Sequence, residues 1–282
     1  MKLVSFLNLG NTCYFNSVLQ AFITDPLFYN KMGSYTTEDS FVKEIATILS
    51  FVDFSFEKEE CKVFNNGALF DFFKLNKLEP FDAYEFYVLF LELLIKKTPS
   101  KLVIKSHYND SWKNFITKNG SIFTKMYYGQ LKTTVVCNNC GFASESFEEF
   151  NCIILQVEDK KTVSQLVMKF FSPEEISYCC EKCNCSGLSK KKTTFNIVPK
   201  RLVFVLKCYT QHSKTYFETV VDSFKIKDSV YNPMSIINHS GNLHDGHYTS
   251  THNINGNKVV INDHVIFKSK KYQDPYMIFY GN

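Results

Sequence analysis

Cys13 has the position of a nucleophile, at the start of a predicted helix. It follows Gly10-Asn11-Thr12, and apolar residues then recur at helical spacing until Pro26. Free backbone N–H groups and the helix dipole favour an anion there, and therefore the attacking thiolate. Asn8 can donate a hydrogen bond to an oxyanion beside the Cys13 N–H. The alternative is that Cys13 is a small buried hydrophobe, the commoner role of a lone cysteine.

A cysteine nucleophile needs a base, and the base needs a group that fixes its orientation. Of the 7 histidines, three lie in residues 239–247, and His247 directly precedes a predicted strand. An Asn262-Asp263 pair follows at the end of an apolar run. Taken alone, this pair also fits a simple turn between two strands.

Two CxxC pairs, Cys137/Cys140 and Cys180/Cys183, suit a metal. Four thiolates bind zinc tetrahedrally and leave no open position, so such a zinc would be structural. The alternatives are unligated or redox-active cysteines. Cys179 and Cys185 flank the second pair, so the spacing alone does not decide which two sulfurs bind.

Two acids, Asp82 and Glu85, begin a predicted helix that runs to about Ile95. Residues at i and i+3 share one face of a helix. One interpretation is an N-terminal cap followed by an acid in the first turn. The other is a pair of carboxylates that binds a basic group of a ligand through charge-assisted bonds.

The elements that must position these residues change character along the chain. Helical spacing dominates the first third, with apolar stripes from Phe15 to Phe22 and from Phe41 to Val52. Strand-like runs come later, at 131–137, 202–209, 258–261 and 277–280. Helices followed by strands predict an α+β fold rather than a doubly wound sheet. Residues from about 138 to 195 are rich in Cys, Lys, Ser and Glu. We interpret this segment as an insertion that is stabilised separately from the rest of the chain.

Composition restricts the class of protein. With 282 residues and 28 Phe, the chain can fill a sizeable core. The basic run Lys190-Lys191-Lys192 is too short to predict nucleic-acid binding, and we expect it at a solvated hairpin tip. The most apolar segment, 86–95, is too short to cross a bilayer, so no membrane association is expected. No convincing secretory signal precedes it, and the CxxC pairs suit a reducing compartment, the cytoplasm and/or the nucleus.

The sequences of these segments resemble motifs of the ubiquitin-specific proteases, papain-like enzymes that remove ubiquitin from conjugates. The Cys box of that family resembles residues 10–20. Its His box resembles residues 239–241 and 246–248, and its strand with an Asn-Asp pair resembles residues 259–265. The resemblance implies the following roles: Cys13 as nucleophile, Asn8 as the oxyanion side chain, His247 as base, Asn262 as its orienting group and Asp263 as an auxiliary. His239 and His244 are then expected in loops near the cleft. The tryptophan usual shortly before the Asn-Asp pair is missing, since the only tryptophan is Trp112.

The same resemblance implies a ligand set and a substrate contact. In that family the second pair occurs in a Tyr-x-Cys-x-x-Cys motif. The resemblance therefore implies that Cys180 and Cys183 bind a structural zinc together with Cys137 and Cys140, in a fingers subdomain. Residues 79–86 align with the Gln-Gln-Asp box of the family, with Pro80 and Phe81 in place of the two glutamines. By this alignment, Asp82 and Glu85 bind an arginine in the C-terminal tail of ubiquitin.

The resemblance covers residues of about 3 to 280 and implies a papain-like fold with thumb, palm and zinc-bearing fingers. A single catalytic domain over 1–282 would comprise a helical thumb (1–115), fingers (131–197) and a palm (116–130 and 198–282). The implied activity is hydrolysis of the peptide or isopeptide bond after the C-terminal glycine of ubiquitin. The implied partners are ubiquitin, ubiquitinated proteins and a regulatory protein. Two alternatives stay open: a protease for a ubiquitin-like modifier, and a catalytically silent ubiquitin-binding module.

Overall fold

A computed structural model of the chain describes residues 3–57, 63–208, 218–242, 246–254, 256–270, 272 and 274–282. The helices in these ranges are α1 (Cys13–Ile23), α2 (Pro26–Gly33), α3 (Ser40–Glu57), α4 (Gly67–Asp71), α5 (Ala83–Lys97), α6 (Asp110–Lys118), α7 (Ile122–Tyr127) and α8 (Val163–Phe170). The strands are β1 (Ser5–Phe6), β2 (Val63–Phe64), β3 (Gly129–Cys137), β4 (Ala143–Phe150), β5 (Ile153–Gln156), β6 (Glu174–Cys179), β7 (Ser186–Ile197), β8 (Arg201–Lys207), β9 (Phe224–Ile226), β10 (Ser229–Gly241), β11 (Gly246–Ile254), β12 (Asn257–Asn262), β13 (Val265–Ser269) and β14 (Pro275–Gly281).

The helical body, formed by α1 to α5 and α7, packs around α1. Every residue of α1 is buried, which explains why this helix is apolar beyond a single stripe. Aromatic side chains fill the space between α1 and α5. The Phe15 and Phe86 ring centroids are 5.0 Å apart, and those of Phe22 and Phe90 are 4.6 Å apart. The predicted helices at Phe15–Phe22, Phe41–Val52 and Asp82–Ile95 are confirmed as α1, α3 and α5.

The palm sheet carries the strands in the order β13-β12-β11-β10-β14-β8-β5, with β9 added beside β10. Its neighbours are antiparallel, apart from the parallel pair β5 and β8. Helix α1 lies against β10 and β11. One face of the sheet is therefore covered by the helical body, and the N-terminus of α1 lies near the ends of β11 and β12.

The fingers sheet is a separate sheet of four antiparallel strands in the order β4-β3-β7-β6. The prediction treated all of residues 131–197 as fingers, but the fingers sheet does not include the middle of that range. Residues 153–156 form β5 in the palm sheet, and α8 packs into the palm core through Val163 and Leu166. Helix α7, expected in the palm, packs through Phe123 and Met126 into the core of the helical body.

The expectation that Lys190-Lys191-Lys192 forms a hairpin tip is wrong. These residues lie inside β7 and pair with Thr134, Val135 and Val136 of β3. A strand in a sheet that is largely solvated on both faces carries polar residues in succession, so a basic run there does not mark a turn. In the described ranges, no helix combines the length and the apolar character that crossing a membrane requires.

Candidate active site

The loop before α1 is fixed tightly, and this fixes Cys13. Cys13 is the first residue of the helix and its side chain is largely buried. Gly10 has φ of +140°, and a Cβ there would lie 2.6 Å from the Lys77 carbonyl oxygen, so only glycine fits. The Asn11 backbone N–H donates to the same oxygen at 2.7 Å. The sulfur therefore sits at the positive end of the helix on an anchored loop.

His247 lies near the start of β11, between Cys13 and the Asn-Asp pair. Its Nε2–H donates to Asn262 Oδ1 at 2.6 Å. Because an amide oxygen only accepts, this bond places the proton on Nε2 and leaves Nδ1 as the basic nitrogen. The hydrogen bond to Cys13 raises the pKa of His247 to about 9, and the bond to Asn262 and the charge of Asp263 act in the same direction. The ring therefore keeps a second proton through neutral pH while it lies beside the Cys13 side chain.

Asp263 follows Asn262 in the two-residue turn between β12 and β13, at φ of +49°. Its carboxylate is almost fully buried and lies 3.9 Å from His247 Nε2. Asn8 Nδ2 donates to its Oδ2 at 2.9 Å, and Asn16 Nδ2 donates to its Oδ1 at 2.7 Å. Asn262 and Asp263 therefore form the end of a strand and the start of a turn, and both also lie beside His247.

The carboxamide of Asn8 is oriented on both sides. Its Oδ1 accepts from the backbone N–H groups of Gly10 and Thr12, each at 3.1 Å, so its NH₂ group must face Asp263. One amide hydrogen is engaged by the Asp263 carboxylate. The other is the one that can reach an oxyanion, and this role stays a prediction.

Asp82 is engaged in structural bonds at every lone pair. Its Oδ1 caps α5 by accepting from the backbone N–H groups of Tyr84 and Glu85, at 2.8 and 3.1 Å. Its Oδ2 accepts from the hydroxyls of Tyr276 and Tyr248, at 2.7 and 3.2 Å. The cap interpretation of Asp82 is confirmed, and the arginine contact of Asp82 and the exposed Glu85 stays a prediction.

A cleft of about 210 Å³ opens beside Cys13 between the helical body and the palm sheet. Its lining consists of Asn11, Cys13, Tyr14, Pro80, Phe81, Asp82, His239, Asn242, Gly246 and Tyr248. Pro80 and Phe81, which replace the two glutamines of the family box, thus make one wall apolar. The prediction that His239 lies in a loop is wrong: it is a buried residue of β10, although it does line the cleft. His244 falls outside the described residues.

The four cysteines of the two CxxC pairs meet at the end of the fingers sheet. All their sulfurs lie within 4.8 Å of one another. Cys137 Sγ is 3.8 Å from Cys183 Sγ, and Cys140 Sγ is 3.7 Å from Cys180 Sγ. Tetrahedral zinc with Zn–S bonds of about 2.3 Å requires sulfur–sulfur distances of about 3.8 Å. The cluster can therefore hold a metal, and the distances fit zinc.

Both CxxC pairs adopt the same turn. The Gly141 N–H donates to the Cys137 carbonyl oxygen at 2.9 Å, and the Asn184 N–H donates to that of Cys180 at 2.8 Å. Gly141 and Asn184 both have φ in the left-handed region, which glycine and asparagine tolerate best. Cys179 and Cys185 are exposed and lie outside the four-sulfur cluster, so the structure selects one ligand set among those that the spacing left open.

The sequence analysis missed several residues that hold the site. Asn16 had a weak signal, because it lies one turn after Cys13 on the same helix. Asn66, which donates to Asn16 Oδ1 at 2.7 Å, had none. Nor did the two tyrosines bonded to Asp82, since they lie more than 160 positions away in the chain, at separations of 166 and 194.

The class of papain-like cysteine proteases is defined by an α+β fold that carries a thiol at a helix N-terminus and an imidazole oriented by a carboxamide. Within that class, the model of the family described as ubiquitin carboxyl-terminal hydrolase matches residues 4–280. The chain belongs to this family.

Curated relatives are similar along most of the chain. Ubiquitin carboxyl-terminal hydrolase 20 of Arabidopsis thaliana is 25% identical over 97% of this chain and 42% of its own length. Ubiquitin carboxyl-terminal hydrolase 2 of Homo sapiens is 26% identical over 86% of this chain and 48% of its own length. The chain thus spans less than half the length of these two relatives.

Solved structures share the fold. The SAGA DUB module Ubp8/Sgf11/Sus1/Sgf73 bound to monoubiquitin contains a chain with a TM-score of 0.79 and 19% identity, covering 99% of this chain and 69% of that one. The same module bound to ubiquitin aldehyde gives a TM-score of 0.74 and 18% identity, with 99% and 69% coverage. At this level of identity, the likeness establishes the α+β fold.

Proposed function

We propose that this protein is a deubiquitinase, a cysteine peptidase that hydrolyses the peptide or isopeptide bond after the C-terminal glycine of ubiquitin. One observation supports the proposal most. His247 Nε2 is bonded to Asn262 at 2.6 Å, and the Cys13 side chain at the edge of an open cleft raises the pKa of His247 to about 9. This arrangement supports a cysteine–histidine pair in which a third group orients the imidazole.

In the first step, the Cys13 thiolate attacks the carbonyl carbon of the terminal glycine. The carbonyl electrons move to oxygen, and the resulting oxyanion accepts hydrogen bonds from the Cys13 backbone N–H and from Asn8. Asp263 holds the Asn8 carboxamide in place through the bond at 2.9 Å. The donors are therefore oriented before charge develops, which is the condition for effective electrostatic stabilisation.

In the second step, the His247 imidazolium gives its proton to the leaving lysine amine, the carbon–nitrogen bond breaks and a thioester remains. Neutral His247 then takes a proton from water, and the hydroxide adds to the thioester carbonyl. The carbon–sulfur bond breaks, Cys13 leaves as the thiolate beside protonated His247, and the carboxylic acid product gives its proton to solvent. Asn262 keeps the ring in one tautomer throughout, because its oxygen accepts from Nε2–H in both protonation states.

We also propose that the four-cysteine cluster holds a structural zinc. The donor set, four thiols in two matching turns, is one that zinc prefers among biological metals. In this proposal the metal keeps the end of the fingers sheet folded, and the chemistry at Cys13 proceeds without it. Cysteines kept as free thiols for a metal support a reducing compartment, the cytoplasm and/or the nucleus.

Ubiquitin and ubiquitinated proteins are the proposed partners, together with a regulatory protein. The similar Ubp8 chain is found bound to monoubiquitin and within a module with Sgf11, Sus1 and Sgf73. The preference for ubiquitin over a ubiquitin-like modifier rests mainly on family membership, because Asp82 is occupied by the cap and by two tyrosines.

Cleavage of a ubiquitin C-terminal fluorogenic amide by the purified chain tests the proposal. We expect turnover by the wild-type chain and a loss of at least about 10⁴-fold in kcat/KM for Cys13→Ser, the scale on which removal of a nucleophile acts. The free cysteine Cys179, exposed and outside the metal cluster, provides the matched control, and Cys179→Ser should retain wild-type turnover.

The same assay with fluorogenic amides of ubiquitin-like modifiers separates the two substrate classes. Faster cleavage of such a modifier than of ubiquitin would replace the proposed substrate while keeping the mechanism. Tight ubiquitin binding without turnover by either wild type or variant would instead identify a silent binding module.

A further inference from the structure

The Asp263 carboxylate is a buried charge held mainly by neutral amides. No lysine or arginine is bonded to it among the described residues, and His247 Nε2 stays 3.9 Å away. Its two oxygens are instead bonded to Asn8 at 2.9 Å and to Asn16 at 2.7 Å. A buried carboxylate needs strong donors, so these amides determine where the charge sits relative to Asn8 and His247.

The side chain of Asn16 is locked in one orientation. It is 2% exposed, and its Nδ2 donates to Asp263 Oδ1 and to the Leu7 carbonyl oxygen, the latter at 3.3 Å. Its Oδ1 accepts from Asn66 Nδ2 at 2.7 Å. A flipped amide would turn its oxygen toward two acceptors and its NH₂ toward a donor, so the network itself excludes the flip.

Asn66 reaches this place through the short parallel pairing of β1 and β2. Phe6 pairs with Phe64, and the Leu7 N–H donates to the Phe64 carbonyl oxygen at 3.1 Å. Asn66 is 1% exposed, and its own Oδ1 has no hydrogen-bond partner among the residues that the structure describes. A buried amide that leaves its oxygen unpaired is costly, so the bond that Asn66 donates to Asn16 is the main favourable contribution of its side chain.

We propose that Asn16, braced by Asn66, is a positioning residue that holds the Asp263 carboxylate between Asn8 and His247. The inference rests on the proposed function, since it assigns Asn16 a part in the same hydrolysis. Asn16 touches neither substrate nor reacting atoms. It acts by keeping one buried charge at a fixed distance from the imidazolium and from the donor of the oxyanion site.

The test compares Asn16→Ala in the wild-type chain and in an Asp263→Gly background, with a ubiquitin C-terminal fluorogenic amide as substrate. Glycine suits the left-handed φ of position 263. We expect Asn16→Ala alone to lower kcat about tenfold or more and to change KM less than about twofold. In the Asp263→Gly background, it should lower kcat by less than about twofold, because the group it positions is gone.

Asn238→Ala is the matched control. Asn238 is also a buried asparagine, bonded to Thr249 and Thr251 in the palm sheet and separate from the Asp263 network. Its effect should be the same in both backgrounds. Equal losses from Asn16→Ala in both backgrounds, or a loss confined to KM, would overturn the inference.

Thermal unfolding of each variant accompanies the kinetics, because Asn16→Ala removes a buried hydrogen-bonded amide. Asn66→Ala is the milder second variant, since it leaves the bond between Asn16 and Asp263 intact. We expect a smaller loss of kcat from Asn66→Ala, again dependent on the presence of Asp263. A loss that persists in full without Asp263 would mean a purely structural role for the pair.

A second readout needs no ubiquitin. The ¹⁵N shifts of the His247 ring should move on Asn16→Ala in the wild-type chain and stay unchanged on Asn16→Ala in the Asp263→Gly background. An inactive wild type would overturn the proposed function, and the ring shifts would still decide the inference. Ring shifts that Asn16→Ala leaves unaltered in the wild-type chain would overturn it.

Discussion

The helical body and the fingers sheet are stabilised by different forces. In the body, the largest side chains are fully buried, among them Phe15, Phe22 and Phe86. The ring of Phe15 contacts that of Phe86, and the ring of Phe22 contacts that of Phe90. In the fingers sheet, every residue of β6 is exposed or half-buried, and a cluster of four thiols lies at its end. The body therefore draws its stability from apolar burial, whereas the end of the fingers sheet has few buried side chains and a four-thiol cluster that can hold a metal.

Removal of the metal is expected to have the largest effect and to act on one region only. Structural zinc contributes on the order of 10 kcal/mol of binding free energy in small zinc domains. A chelator, or Cys137→Ser, should abolish hydrogen-exchange protection where β6 ends and β7 begins, while the amides of α1 and α5 stay protected. Exchange measured by mass spectrometry checks this.

Cys185→Ser is the control for that experiment, because Cys185 is exposed beside the cluster and outside the ligand set. It should keep one metal per chain. Loss of the metal from Cys185→Ser, or global unfolding on chelation, would contradict the separation of the two regions.

A buried ion pair between α2 and the palm sheet gives the next effect. Asp25 caps α2 and binds the Arg201 guanidinium at two contacts of 2.7 Å, and both side chains are buried. Asp25→Asn leaves the guanidinium without its counter-charge and should lower the free energy of unfolding by about 3–5 kcal/mol. Urea denaturation followed by circular dichroism measures the loss.

The double variant Asp25→Asn with Arg201→Met serves as its control. With both charges removed, it should be more stable than Asp25→Asn alone. Zinc content should remain at the wild-type level in both variants. A drop in metal content would show that the two regions are coupled rather than independent.

The pH dependence of activity gives a smaller effect within the body. Because the pKa of His247 is raised to about 9, the imidazolium that protonates the leaving amine persists through neutral pH. The value of kcat/KM should fall as the pH rises through about 9, by about tenfold per unit beyond it. In Cys13→Ser, the loss of the thiolate should move the pKa of His247 back toward its ordinary value, as an NMR titration measures. An alkaline limb near pH 6.5 in the wild-type chain would contradict the pairing with Cys13.

The smallest effect is expected on the fingers sheet. Lys191 and Glu174 form an ion pair at 2.9 Å across β6 and β7, with much of both side chains exposed. Lys191→Ala should change the free energy of unfolding by no more than about 0.5 kcal/mol, because solvent screens such pairs. Glu174→Gln should behave alike. A loss above about 1 kcal/mol in the free energy of unfolding from either variant would mean that this ion pair makes a substantial contribution to the stability of the fingers sheet.

Prediction from sequence succeeded where local spacing decides the element. Helices α1 and α5 follow from apolar periodicity, and β3, β8, β12 and β14 follow from short β-branched and aromatic runs. It failed for β7 and for His239 in β10. The strand residues of the solvated fingers sheet lack an alternating pattern, and the Gly-rich surroundings of His239 imitate a loop.

The same contrast holds for the site. Cys13 at a helix start and two matching CxxC turns are local features, so residue types and spacing are enough to single them out. The bonds of Asp263 to Asn16 and of Asp82 to Tyr276 join residues 247 and 194 positions apart. No local pattern encodes such a pair, because the chain must first fold to bring the two side chains together.

The sequence by itself determined which side chains are available for chemistry and which secondary structure begins or ends at each of them. Only the tertiary structure decided which donors each carboxylate accepts from. Asp82 accepts from the α5 backbone and from two tyrosine hydroxyls, whereas Asp263 accepts from Asn8 and lies near His247. A carboxylate has a fixed number of lone pairs. Which donors reach them depends on the packing of distant segments, and spacing along the chain carries no record of it.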